Sequence, residues 1–340
     1  MRKLFALALL FASTAAFADD MGLLLGLSSK EGVASTVWIG QQGVATFARR
    51  AGDGYWLWQE KGFMHIVPED LSRSGGRATV TVTDIDGKVS VIKGEEGRPD
   101  TDFHVMYVAP RGIGLMRSMN SGAPQSGGNV VSGGQVGGFG GGQNGFAGGS
   151  GYRVFPRSYR HHDWQDLATA LDVGDVFDEK LANEFLRNAE SYASSRISSG
   201  KAPVDGDVSP SNWTLRRDQG SWALYGLLYP PFGMSGSGSD LEFPVRGFDN
   251  ASLGAVFVKG PSWSRIVSEY PDAIDFAVSP DGKMTVIVTP TDVFVHESSM
   301  SSLKKRVQRV RVPAERVVMT QWLEGSEVRK VSDAVTKIKG

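Results

Sequence analysis

Apolar positions along the chain fall mostly into short runs that end on glycine, asparagine or aspartate, which is the pattern of strands joined by tight turns. Residues 37–39, 44–48, 55–59, 63–67, 78–84, 89–92 and 103–109 are rich in β-branched and aromatic side chains. Gly43, Asp53-Gly54, Gly75-Gly76 and Asp86-Gly87 punctuate them. Asp86-Gly87 reads as a hairpin, because two-residue turns that follow strand twist need positive φ, which Asp and Gly tolerate best. A second set of runs begins at Trp213. Residues 213–217 and 221–225 flank Asp218-Gln219-Gly220, read as a three-residue hairpin loop. Residues 255–258, 274–278, 284–289, 292–296, 310–312 and 317–322 continue the series, with a short helix over 262–270.

One segment has a different period. Leu181, Phe185, Ala189, Tyr192 and Ala193 recur every three or four residues, the spacing of a helix with one apolar stripe. The helical part is predicted over about 163–199, with Asp178 placed to cap its second half and Gly200 ending it. Glu184, Arg187 and Glu190 fall on its wet face. Val328, Val331, Val335 and Ile338 predict a closing helix over 326–338.

Residues 274–289 carry strand, Ser279-Pro280-Asp281-Gly282 and strand. Proline presets φ, and Asp-Gly accepts a tight turn. This stretch of about twenty residues resembles the Ser-Pro-Asp-Gly blades of bacterial β-propellers, and Asp86-Gly87-Lys88 with 89–92 loosely repeats it. The resemblance implies a blade-like fold and no particular activity. No 40-residue period runs through the remainder, so the expected fold is mainly β: antiparallel meanders, arranged as an irregular propeller-like body or as two packed β units, with one substantial helix and a short C-terminal one.

Composition divides the chain. Arg2 and Lys3, an apolar run over 4–12 and Ala16-Phe17-Ala18 have the layout of a signal peptide, 1–18, cleaved after Ala18. Its removal takes away two cations and leaves 34 Lys+Arg against 37 Asp+Glu, and the expected location is the periplasm or the outside of the cell. From 118 to 152 there is no charged side chain, and residues 133–151 are dominated by glycine. Fixing that many glycines carries a backbone entropy that Phe139 and Phe146 cannot offset, so a tether or long loop is expected between an N-terminal β unit, 19–117, and a C-terminal one, 153–340. The near-neutral charge offers no general basis for binding nucleic acid, and no later stretch is apolar for long enough to span a membrane as a helix.

The absence of cysteine excludes disulfides, thiolate metal sites and a cysteine nucleophile. No P-loop is present, Gly112-Ile113-Gly114 lacks the third glycine of a dinucleotide fingerprint, and no cofactor is expected. Among five histidines the only sequence cluster is His161-His162-Asp163, which offers imidazole and carboxylate ligands to a divalent metal or forms a polar approach to the helix. The acids Asp166, Asp172, Asp175, Asp178 and Glu179 crowd the same segment; they are read as a solvated face or as the carboxylates of a hydrolase.

Aromatic and basic residues supply the binding candidates. Trp56 lies on a strand, and Tyr225, Tyr229 and Phe232 run from a hairpin into a Pro/Gly/Ser-rich loop over 230–240. Trp and Tyr combine a large apolar area with a polar edge, suited to a glycan, a peptide or an envelope protein. Trp58, Trp213 and Trp222 are expected in the core. Arg309 and Arg311 share one face of a strand within a basic run over 302–316, either a stripe for an anionic envelope polymer or lipid surface or a guarded sheet edge. The expected function is a non-catalytic binding or scaffolding module of the cell envelope. The alternative is an extracytoplasmic hydrolase using carboxylates or a His/Asp metal site.

Overall fold

The computed structural model describes residues 21–40, 43–46, 54–69, 78–93, 101–119, 158–164, 167, 170–199, 209–228, 242–248, 260–299 and 302–339. The expected signal peptide, most of the glycine-rich segment, the strand at 255–258, the loop at 230–240, Tyr229 and Phe232 lie outside the described residues.

The fold is mainly β, in antiparallel sheets. Strands β1 (Met21–Ser28), β2 (Ala34–Gly40) and β3 (Gly43–Thr46) form one meander. A second follows in β4 (Tyr55–Gln59), β5 (Gly62–Glu69), β6 (Thr79–Thr83) and β7 (Val89–Lys93). The third sheet pairs β8 (Thr101–Ala109), β9 (Gly112–Met119) and β10 (Ser158–Asp163), so it joins strands from either side of the glycine-rich segment. Helices α1 (Val173–Val176) and α2 (Glu179–Ser198) precede a fourth sheet of β11 (Trp213–Asp218), β12 (Ser221–Leu227) and β13 (Glu242–Pro244). After α3 (Trp263–Glu269), the fifth sheet runs β14 (Asp275–Val278), β15 (Met284–Val288), β16 (Asp292–Ser299) and β17 (Ser302–Arg311). The chain then returns to its start. Strand β18 (Arg316–Glu324) pairs antiparallel with β1, from Met21 opposite Glu324 to Ser28 opposite Arg316, and α4 (Ser326–Lys339) ends the fold.

This closing pair explains why β1 carries no alternation. It lies between β2 and β18, and every one of its residues is buried. Leu23, Leu25 and Leu27 face the fifth sheet, packing with Val286, Val288, Val293 and Val295. Leu24 on the other face joins the second and third sheets and α4, in a core with Tyr55, Leu57, Ile66, Val105, Leu115, Val328 and Val331. A fully buried leucine contributes roughly 1.5–3 kcal/mol relative to an exposed one, so a strand buried on both faces is read as a continuous apolar run.

A third core lies between the third and fourth sheets and holds Tyr107, Trp213, Trp222 and Phe243 under Leu181, Phe185 and Ala189 of α2. The apolar stripe expected on that helix is therefore in the core, as are Trp58, Trp213 and Trp222. Asp178 caps it, its Oδ1 accepting the Leu181 N–H at 2.7 Å. The helical part is shorter than the expected 163–199: residues up to Asp163 belong to β10, and among the described residues of that span helical geometry is confined to Val173–Val176 and Glu179–Ser198. The reason is pairing with β9, which takes the Ser158–Asp163 segment into a sheet.

Turn chemistry holds closely, with one change. The Ser279 carbonyl accepts the Gly282 N–H at 2.8 Å, with Gly282 at φ 71, between β14 and β15. The β11–β12 loop has two residues, not three, because Asp218 stands opposite Ser221. Gln219 and Gly220 both have positive φ, 50 and 87, the geometry of a two-residue turn that matches strand twist. A side chain at Gly220 would also meet the Phe276 ring, at 2.6 Å.

Candidate functional site

The face of the fifth sheet opposite the β1 core is built around α3. Ser262 caps this helix, accepting the Arg265 N–H at 3.3 Å, and Ile266 is its fully buried residue, set among Phe276, Ile287 and Phe294. Pro271 follows immediately and the helix ends at Glu269, which leaves Tyr270 lying over Phe294 with ring centroids 4.8 Å apart. The Tyr270 hydroxyl is 2.6 Å from His296 Nε2, and His296 Nδ1 is 3.1 Å from the Lys304 carbonyl. A carbonyl only accepts, so Nδ1 carries the proton and Nε2 accepts from the phenol. Burial raises the Tyr270 phenol above its usual range. The tyrosine is thereby held as a neutral donor in a fixed position.

Basic residues surround this ring cluster. Arg309 stands opposite Phe294 and Arg306 opposite His296 across the β16–β17 ladder. Their guanidinium carbons lie 5.5 and 5.8 Å from the Phe294 centroid. Arg309 forks onto Asp292 through two bonds of 2.7 and 2.9 Å, which hold the Asp292 carboxyl below the usual range. Arg311 stands opposite Asp292 and is exposed, as are Lys304, Lys305 and Arg306. Among the described residues β17 is hydrogen-bonded on one side only, and irregularities in its pairing flank His296. It is an edge strand that carries five cations. The expectation for Arg309 and Arg311 rested on alternation alone; the ring beneath the arginines comes from Phe294, sixteen residues from Val310 in sequence and opposite Arg309 in the sheet.

The imidazoles proposed as metal ligands occupy a different place. His161 and His162 stand on β10 opposite Gly114 and Ile113, and both are buried. His161 is stacked between Tyr107, at 5.5 Å, and Trp213, at 4.8 Å, and its Nδ1 bonds the Tyr107 hydroxyl. Burial, with the neighbouring His162 second, lowers the His161 pKa to about 3, so the ring is neutral. Gly112 and Gly114 allow this packing. A Cβ on Gly112 would stand 2.7 Å from the His161 ring, and one on Gly114 would stand 2.0 Å from Tyr107. Among the described residues no group of three His, Asp or Glu side chains gathers around His161, His162 and Asp163, or elsewhere. The polar approach to a helix is thus a buried strand. The acids nearby serve helix ends: Asp175 accepts the Asp172 N–H at 3.0 Å, and Asp178 caps α2.

The remaining candidates are separated. Tyr225 is half-buried beneath Arg216, whose guanidinium lies 4.2 Å from the ring and bonds Glu242 at 2.6 Å. Trp56 is half-buried and stacks on His65 at 4.0 Å, with Phe63 at its edge. No helix among the described residues is long and apolar enough to cross a membrane. No protein-family model matches the chain, and no curated protein compared with it is similar.

Proposed function

We propose that this chain is an exported, non-catalytic binding module of the cell envelope, and that the α3–β16–β17 face takes an anionic polymer. The observation that carries this reading is the pairing of Arg306 and Arg309 with the Phe294 ring beside the Tyr270 hydroxyl. Guanidinium groups held over an aromatic ring retain their charge while losing side-chain freedom, which favours a repeated anionic ligand over free counterions. Lys304, Lys305 and Arg311 extend the charge along the same edge. The leader at 1–18, with its small residues before Asp19, supports export.

We also read the sheets as blades of an irregular propeller. Five meanders follow one another along the chain, the Ser279–Gly282 turn joins two strands of the last, and β18 returns to the first. Chain closure of that kind removes loose ends from a ring of sheets.

The test compares retention of residues 19–340 on dextran sulfate beads and on plain dextran beads. Retention is expected on the sulfated beads at low ionic strength, with release as salt screens the contact. The triple variant Lys304→Ala, Lys305→Ala, Arg306→Ala is expected to bind at least about tenfold more weakly, a loss of about 1.4 kcal/mol. Equal retention of the variant and the parent, or equal retention on the two kinds of bead, would remove this reading.

A further inference from the structure

The outer edge of the second sheet is built differently from the β17 edge. Among the described residues β7 is hydrogen-bonded to β6 alone, so its other side is open for pairing. Along Val89–Lys93 the side chains alternate, with Val89, Val91 and Lys93 exposed and Ile92 buried in the core beneath. Val89 is 59 % exposed, Val91 43 % and Ile85 of the preceding turn 39 %, so this one hairpin carries three of the four large apolar side chains that are exposed among the described residues. Edges that face water are ordinarily guarded by charge, as β17 is by its cations. Two valines laid open beside an edge mark a surface that another strand covers.

The ladder fixes which backbone groups face outward. The Asp84 N–H donates to the Lys88 carbonyl at 3.0 Å, and the pairs Thr83–Val89, Val82–Ser90, Thr81–Val91 and Val80–Ile92 follow in order. Bonded and non-bonded pairs alternate in an antiparallel ladder, so Ser90 and Ile92 direct their N–H and C=O groups to β6, while those of Val89 and Val91 point away from it. A second β7 presents the same outward groups at the same spacing. With Ser90 of two copies meeting on a two-fold axis, Val89 of each stands opposite Val91 of the other, and the two exchange backbone bonds on either side of the axis. The same register sets Lys93 of each copy opposite Gly87 of the other, beside Asp86, so unlike charges meet at both ends. Moving the axis to Val91 would instead set Lys93 opposite Val89 and lose the second valine pair.

We infer that the β7 edge is a self-association surface, on which a second copy of this chain pairs β7 against β7 antiparallel about Ser90, joining the two second sheets across a two-fold axis. The contact is isologous and closes on itself, so it makes a dimer and no fibre. Strand β7 has five residues, which makes the interface small and the dimer dependent on concentration. β7 belongs to the second sheet and β17 to the fifth, so the dimer stands or falls independently of polymer binding at β17.

Sedimentation of residues 19–340 over a concentration series, together with single cysteines on the hairpin, tests the pairing. The chain has no cysteine, so each such variant reports one position. In the dimer Ser90 faces Ser90 of the other copy in a non-bonded pair, with Cα atoms about 4.5 Å apart and within reach of a disulfide. Ser90→Cys is therefore expected to give a covalent dimer on mild oxidation, whereas Asp86→Cys, in the exposed turn and far from its own copy across the axis, is not. Val91→Lys, on the solvated face of the sheet, is expected to weaken the dimer at least about tenfold. A parent that sediments as a monomer at every concentration would overturn the surface, whether the edge is then bare or taken by a strand of another protein. A dimer that Val91→Lys leaves intact would overturn it too. Should Val91→Lys not fold, equal linking of Ser90→Cys and Asp86→Cys would have the same force.

Discussion

Asp275 holds Arg217 across two sheets: one carboxylate oxygen accepts the guanidinium Nε at 2.6 Å, while the other accepts the backbone N–H groups of Gly220 and Phe276, each at 2.8 Å. Both side chains are almost wholly buried, at 6 % and 5 % exposure. The pair joins the β11–β12 hairpin to β14, and the Thr320 contact adds β18. Asp275→Ala leaves a buried guanidinium without its counter-charge and is expected to destabilise the protein by about 3–5 kcal/mol, read from urea unfolding midpoints. A change below about 1 kcal/mol would show that water reaches Arg217.

Gly114→Ala is expected to be severely destabilising although it adds one methyl group. That methyl would stand 2.0 Å from the Tyr107 ring, which is packed on His161 and Trp213 and has no open side to move into. Overpacking of this kind costs typically about 1–3 kcal/mol. Gly87→Ala is the control, because a Cβ there meets nothing and only positive φ opposes it. Thermal melts of the two variants should separate clearly, with Gly87→Ala the milder.

Acid should weaken the fold partly through His161. Its pKa is near the ordinary value of about 6.5 when unfolded and about 3 when folded, so the unfolded chain binds a proton that the native ring refuses. The native advantage is whole above pH 6.5 and declines as pH falls from there toward 3, by about 1.4 kcal/mol per unit from this residue. His161→Phe should make stability less dependent on pH between 6.5 and 4. Unfolding curves at stepped pH measure this, and parallel slopes in variant and parent would refute it.

Asp178→Ala removes the oxygen that accepts the Leu181 N–H and is expected to cost about 1 kcal/mol. Asp178→Asn or Asp178→Ser should recover most of it, since either side chain can cap. Circular dichroism at 222 nm during thermal melting distinguishes the three.

Local chemistry carried most of what was legible in the sequence. Ser262, Asp178, the Ser279–Gly282 turn and the stripe from Leu181 to Ala193 specify their elements within a few residues of themselves, and those elements form where expected. What escaped depends on distant partners. Strand β1 is apolar on both faces because β2 and β18 flank it, so no period of two marks it. Strand β10 is polar, with Arg160, His161 and His162, and becomes a strand only by pairing with β9 across the glycine-rich segment. The same holds for the site. Arg309 could be placed on a strand face from spacing, whereas its Phe294 ring and Asp292 partner lie on the neighbouring strand, and the Tyr270–His296 bond joins a helix end to a sheet.

Because Met21 stands opposite Glu324, the first strand of the body acquires its last neighbour only when nearly the entire chain has emerged. Until then β1 keeps one edge of unpaired backbone N–H and C=O groups, a state that exposes the chain to proteases and holdases. Trimming the C-terminus by as little as β18 and α4 should therefore unfasten the N-terminus as well, so the two ends share one fate.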